Sequence, residues 1–186
     1  MNNLDDNGWN IIITPNRSLF DIDLISIWKY RYLTWLFVKR DFTTFYKQTI
    51  LGPLWFFIQP LISTIVFTII FNKVAHIPTG ELPPVLFYMS GIIAWNYFSN
   101  CLTTTAGTFT SNASLYEKVY FPRIIIPLSK VIAGLAKFSV QLILFLSFYF
   151  YYLYIGNNQI FPSKSALILI PIMIIQMAFL GLGLGM

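Results

Sequence analysis

The chain has 186 residues, 56% hydrophobic and only 10% charged, with a formal net charge of +5. Soluble domains carry roughly 25% charged residues, so with a mean hydropathy of +0.67 this composition excludes an ordinary soluble domain. It indicates an all-α, polytopic helical membrane protein. The basic residues lie beside apolar segments instead of forming one patch, which argues against nucleic acid as a partner.

Residues 1–23 read as a polar cytoplasmic segment. Asp5 and Asp6 precede an apolar stretch, Ile11–Ile13, that is far too short for a signal peptide. Residues 24–49 read as an interfacial amphipathic helix. Leu24, Trp28, Tyr32, Trp35, Val38, Phe42 and Phe45 advance by threes and fours, while Lys29, Arg40 and Lys47 fall opposite. Arg31 interrupts the apolar face, and Leu33, Leu36 and Phe37 sit toward the polar one. That second apolar surface predicts a protein partner on the side away from lipid.

Residues 50–186 read as a transmembrane domain with spans at about 53–71, 84–107, 131–155 and 165–186. Pro60 near the middle of the first span predicts a kink, with Gln59 placed to meet a freed backbone group. The second span lies within a run, Leu82 to Tyr116, that contains no Asp, Glu, Lys, Arg or His. In it Asn96, Ser99, Asn100 and Thr103 recur at i, i+3, i+4 and i+7, a neutral polar stripe suited to a partner helix or a conduit. The lone cysteine, Cys101, reads as a small buried residue. Lys130 and Lys137 are seven residues apart on one helical face at the start of the third span. They read either as snorkelling to the headgroups or as a basic vestibule for an anionic substrate such as a lipid-linked diphosphate. The fourth span contains Pro171 and ends in the small-residue pattern Gly181-Leu-Gly-Leu-Gly185. It stops without a polar tail, so truncation at the C-terminus is expected.

Lys and Arg concentrate before the first span and between the second and third, which places both segments and the N-terminus in the cytoplasm. In the second of these, Ser111 or Asn112 can cap a short helix, leaving Leu115, Tyr116 and Val119 as an exposed docking knob. No GxxxxGK[ST] loop occurs, the one histidine (His76) lies in a loop, and no carboxylate lies inside a span. The chain therefore reads as a non-enzymatic transport subunit driven from elsewhere. A passive channel and a membrane-embedded transferase are the readings from other classes.

Two motifs carry a family resemblance. Lys39-Arg-Asp-Phe-Thr-Thr-Phe-Tyr-Lys-Gln-Thr-Ile-Leu-Gly-Pro-Leu-Trp-Phe-Phe-Ile-Gln-Pro60 resembles the segment entering the first span of type-2 ABC export permeases for polysaccharide, O-antigen and teichoic acids. Leu115-Tyr-Glu-Lys-Val-Tyr-Phe-Pro-Arg123 is similar to that family's loop after the second span. The resemblance covers about Leu24 to Met186, four spans where the family usually has six. It implies a homodimer of permeases in the bacterial cytoplasmic (inner) membrane, exporting a lipid-linked glycan or, alternatively, a drug or lipid. A separate ABC ATPase subunit would bind ATP and Mg, with no cofactor in this chain. Arg40, Lys47, Leu115, Tyr116, Glu117 and Lys118 become candidates for ATPase coupling, and Phe121, Pro122 and Arg123 for a cytoplasmic gate. Substrate-path candidates are Trp55, Gln59, Tyr88, Trp95, Asn96 and Tyr97, together with Ser99, Asn100, Thr103, Lys130 and Lys137. For the aromatic and neutral polar members, helix packing and interfacial anchoring predict the same residue types.

Overall fold

The computed structural model describes residues 24–48, 54–80, 82–119, 121–155 and 164–186, which form helices and no strand. Two helices, α1 (Leu24–Lys29) and α2 (Arg31–Gln48), precede the bundle. α3 (Trp55–Phe67) continues as a π-helical segment, Thr68–Val74, and α4 is Pro84–Ala106. Two short helices, α5 (Thr108–Ser111) and α6 (Ala113–Lys118), lead to α7 (Ile125–Ile155) and α8 (Lys164–Gly185).

Among the described residues, three helical stretches are long and apolar enough to cross a membrane: Trp55–Val74, Ile125–Tyr154 and Ile168–Gly185. The first outruns its expected end because the chain widens into π geometry after Phe67 instead of stopping. Pro60 is buried inside α3 and lacks the N–H that would meet the Phe56 carbonyl, while one turn on Thr64 Oγ1 donates to the Pro60 carbonyl at 2.7 Å. Gln59 is instead exposed. α4 has 23 residues and matches the expected second span in extent. Its polar stripe makes it less apolar than the other three.

α7 begins at Ile125, ahead of the expected start between 131 and 138. Pro127 is the reason the start is easy to misplace. Standing third in the helix, it lacks an N–H that would have had no partner in the first turn anyway. The earlier start changes the position of Lys137. It lies twelve residues into α7, roughly 18 Å along the axis, instead of at the helix mouth.

α4 is the centre of the bundle and packs against α3, α7 and α8. Its buried positions, Leu86, Met89, Ile93, Tyr97, Cys101 and Thr105, follow helical spacing along one stripe. Cys101 is fully buried, as expected. Against it stands α8, where Gly181 and Gly185 present bare backbone. A Cβ on Gly181 would meet the Cys101 Cβ at 2.6 Å, and one on Gly185 would collide with Thr105. Thr105 Oγ1 also donates to the Gly181 carbonyl at 2.9 Å. The small-residue surface expected at the end of the chain is this seam, while Gly183 meets nothing within 4 Å.

The α1–α2 segment departs from a simple lipid-bound helix. Thr34, Phe37 and Val38 are buried, and α2 packs on α7. The protein partner expected on the Leu33–Phe37 side is therefore the chain itself. Phe37 joins Phe121, Ile125 and Ile126 in one cluster, with Leu33 against it. Trp28, Tyr32, Trp35 and Leu36 remain on the surface, so the outward aromatic face is rotated from the expected one and omits Val38. Arg31, which broke the expected apolar face, lies over the Trp28 ring at 5.4 Å. The side chains of Leu24, Phe45 and Lys47 lie outside the described residues.

Candidate functional site

α3, α4 and α7 enclose a polar cleft of about 320 Å³ in the half of the bundle nearer α2. α3 contributes Phe56 and Gln59. α4 contributes Asn96, Tyr97, Ser99, Asn100 and Thr103, so the stripe read from spacing does line one surface. α7 contributes Gly134, Lys137, Phe138 and Gln141, again at i, i+3, i+4 and i+7. Gly134 lets the two helices approach: a Cβ there would stand 3.0 Å from Asn100 Nδ2. The Thr103 hydroxyl donates back to the Ser99 carbonyl at 2.8 Å, leaving its lone pairs for the cleft. Tyr97 touches the cleft but is only 3% exposed and packs on Phe138 with ring centroids 5.1 Å apart. It is a core residue, not a stacking platform.

A second recess of about 670 Å³ runs along α3 and α4 toward the opposite end. Phe67, Phe71, Phe87, Tyr88 and Trp95 give it an aromatic wall, and Asn96 belongs to both recesses. The substrate-path candidates thus divide. Gln59, Asn96, Tyr97, Ser99, Asn100, Thr103 and Lys137 meet in the polar cleft, while Tyr88 and Trp95 line the aromatic recess. Trp55 lines neither and is partly exposed at the start of α3.

Lys130 is committed elsewhere. Its Nζ stands 2.8 Å from Asp41 Oδ2, tying α7 to α2. Arg40 binds the other Asp41 oxygen at 3.0 Å and stacks over Phe37 at 4.9 Å. Lys130 therefore belongs to the attachment of α2 and not to a vestibule shared with Lys137. Asp41 was missed in the sequence because its partner is far along the chain.

The α5–α6 segment corrects the docking knob. Asn112 does precede α6, but its side chain bonds the Thr108 carbonyl behind it at 2.9 Å and makes no cap. Leu115 and Tyr116 turn inward onto the Phe37–Phe121 cluster. Tyr116 stacks on Phe109 at 5.9 Å and Phe121 at 5.5 Å. Its hydroxyl donates to the Arg123 carbonyl at 3.2 Å. Burial pushes this phenol above its ordinary value of 10.0, with the Arg123 charge pulling the other way. Phe121, expected at a gate, is a buried core residue, Pro122 is half-buried and Arg123 exposed. Glu117, Lys118 and Val119 are the exposed part of this segment.

No group of three or more metal-ligating His, Cys, Asp or Glu side chains occurs among the described residues. The comparisons agree with the export-permease features. O-antigen export system permease protein RfbA of Klebsiella pneumoniae is 29% identical over 147 residues, 79% of this chain and 54% of that protein. Its namesake from Myxococcus xanthus is 29% identical over 121 residues, 65% of this chain and 46% of that protein. The chain spans about half the length of the curated relatives it matches. No solved structure matches it. With largely apolar helices around a polar cleft, and with the ABC-2 type transporter model matching residues 32–186, the chain belongs to the ABC-2 type transporter family.

Proposed function

We propose that this chain forms part of the membrane permease of an ATP-driven exporter of lipid-linked polysaccharide, in the bacterial cytoplasmic (inner) membrane. The observation that carries this reading is the pair of recesses meeting at Asn96. Amides and hydroxyls line one end and rings the other, along one side of an uncharged helix. Neutral donors and acceptors exchange hydrogen bonds with sugar hydroxyls at little cost, and ring faces accept the apolar faces of sugars. A helix surface without fixed charge does not hold a polymer that has to slide. The relatives named for O-antigen export support the same cargo.

In this reading two permeases build the conduit, and a separate ATPase that binds ATP and Mg does the work. The chain itself is not an enzyme and carries no cofactor. α4 is a fourth span, and the N-terminus and α5–α6 face the cytoplasm. Glu117, Lys118 and Val119, exposed beside the clamped Tyr116, form the edge that meets the ATPase. Because Tyr116 and Phe121 bind α6 to α2 and α7, a push on α6 is passed to the span and not absorbed by a loose loop.

Charge reversal, Glu117→Lys with Lys118→Glu, tests the coupling in the full exporter. Membrane insertion is expected to persist while substrate-stimulated ATP hydrolysis and export fall. Undiminished hydrolysis and export would remove the docking assignment. The cargo is tested by removing the protein: a lipid-linked glycan is expected to accumulate on the cytoplasmic face, and its absence would remove the export reading.

A further inference from the structure

One charge interrupts the neutral lining of the cleft. Lys137 is the single charged side chain on its wall among the described residues. It lies well inside α7, level with Tyr97 near the middle of α4, as the Tyr97–Phe138 contact fixes. Two turns nearer the start of α7, Lys130 and Arg40 converge on Asp41. Across the cleft stand the amides of Gln59, Asn96 and Asn100, with Gln141 one turn along α7, each able to donate hydrogen bonds. A lysine inside a span, facing a polar cavity, marks a functional site by default.

Phe138 walls a further groove on its other side. That groove, of about 370 Å³, is lined by Ile93, Leu142, Phe145, Met173 and Ile174 and is almost wholly apolar. A polar cleft with one cation, bordered by an apolar groove, is built for an amphiphile with an anionic head.

We propose that the cleft binds the phosphate group of an amphiphile, with the Lys137 ammonium as counter-charge and the Asn96 and Asn100 amides as donors. The cleft holds the volume of about ten waters at ~30 Å³ each. That is room for a phosphate and its first sugar-sized neighbour, so the Lys137 side of the cleft holds the head of the cargo while the polymer behind it follows the neutral face of α4. The assignment deepens the export reading and rests on it only for the identity of the cargo.

The test is direct binding to the full-length permease in neutral detergent, with dodecyl phosphate, dodecyl glucoside and inorganic phosphate as probes. Pumping is not involved, so a failure of the export reading leaves the result interpretable. Dodecyl phosphate is expected to bind more tightly than dodecyl glucoside. Lys137→Gln is expected to weaken it about tenfold or more, the loss of one charge-assisted hydrogen bond. Lys137→Arg should retain binding, and Lys73→Gln, at an exposed lysine outside the cleft, should not change it. Inorganic phosphate is expected to bind far more weakly; equal affinity would overturn the amphiphile and assign a free-anion site. Should Lys137→Gln fail to fold, Asn96→Asp places a carboxylate on the facing wall of the cleft at the same volume and is expected to weaken dodecyl phosphate likewise. Wild-type binding by either folded variant, or no preference for dodecyl phosphate over dodecyl glucoside, overturns the proposal.

Discussion

Substituting Gly181 by Ala tests whether the α4–α8 seam holds the bundle together. The added methyl would stand 2.6 Å from the Cys101 Cβ, 3.3 Å from the Leu102 backbone nitrogen and 3.4 Å from the Cys101 carbonyl carbon. Both nearest obstacles belong to the backbone or are fixed to it, so no rotamer change relieves them. α8 has to back away by roughly 1 Å, and overpacking of this kind costs about 1–3 kcal/mol. The shift also stretches the Thr105 hydroxyl bond to the Gly181 carbonyl, now 2.9 Å, and an interhelical bond of this type averages ~0.6 kcal/mol. Against this, Ala favours helix over Gly by up to ~1 kcal/mol. Gly183→Ala gains the same propensity and meets nothing, so it subtracts that term. The expected difference is about 2–4 kcal/mol, with Gly183→Ala neutral or mildly stabilising. Reversible unfolding in mixed micelles measures both variants. Equal stability of the two would show that α8 does not seat on α4 through these glycines.

The remaining predictions concern the attachment of α2 and α6. Lys130→Met and Asp41→Asn are each expected to destabilise by about 1–2 kcal/mol, the pair being partly exposed. The double variant should cost less than the sum, and strict additivity in that cycle would deny the interaction. Phe121→Ala is expected to cost about 3–4 kcal/mol as a core truncation, read in the same unfolding assay. A gate residue would change transport without that loss. Tyr116→Phe should cost ~1 kcal/mol through its hydrogen bond to the Arg123 carbonyl. Because burial raises the Tyr116 pKa, its contribution is fully present below pH ~10 and is lost as pH rises through the folded-state value. Limited proteolysis at alkaline pH should show that step in the wild type and not in Tyr116→Phe.

Much of this arrangement was legible because helical pitch alone decides it. Asn96, Ser99, Asn100 and Thr103 share a face in any helix, and Gly181 and Gly185 fall together for the same reason. What spacing does not contain is the partner. Gln141 and Gly134 stand at i+4 and i−3 from Lys137 and follow the same rule within the span expected from 131; what the spacing did not show is the start of α7 at Ile125. Pro127 hid that start, because a proline reads as a helix stop unless it is placed in the first turn. Phe37, Leu115, Tyr116 and Phe121 were misread for a different reason. Phe37, Leu115 and Tyr116 look like surplus apolar surface on local elements, and the resemblance assigns Phe121 to a gate; only the return of the chain at Phe121 shows that they cover one another. Asp41 and Lys130 are likewise an ion pair that no local pattern announces.

α4 shows how a bundle keeps its most polar helix at its centre. Two of its threonines are self-satisfied: the hydroxyls of Thr103 and Thr104 donate to the carbonyls four residues back, at 2.8 and 2.6 Å. Such residues cost little in hydrocarbon, so what makes α4 poorly suited to lipid is its two asparagine amides. Neither faces outward, since α3 and α7 close around them as the cleft wall. The third neighbour, α8, is apolar on its far side, with Ile168, Ile172, Ile175 and Phe179 exposed. A lysine at mid-bilayer costs about 2.5–3.5 kcal/mol, and Lys137 is spared part of that by opening into the same cleft. The polar chemistry of the cleft is thus concentrated on α4, with Gln59 of α3 and Lys137 and Gln141 of α7 facing it. α2 and the clamped α6 both pack on the first turns of α7, and α7 is the helix that carries the charge in the cleft.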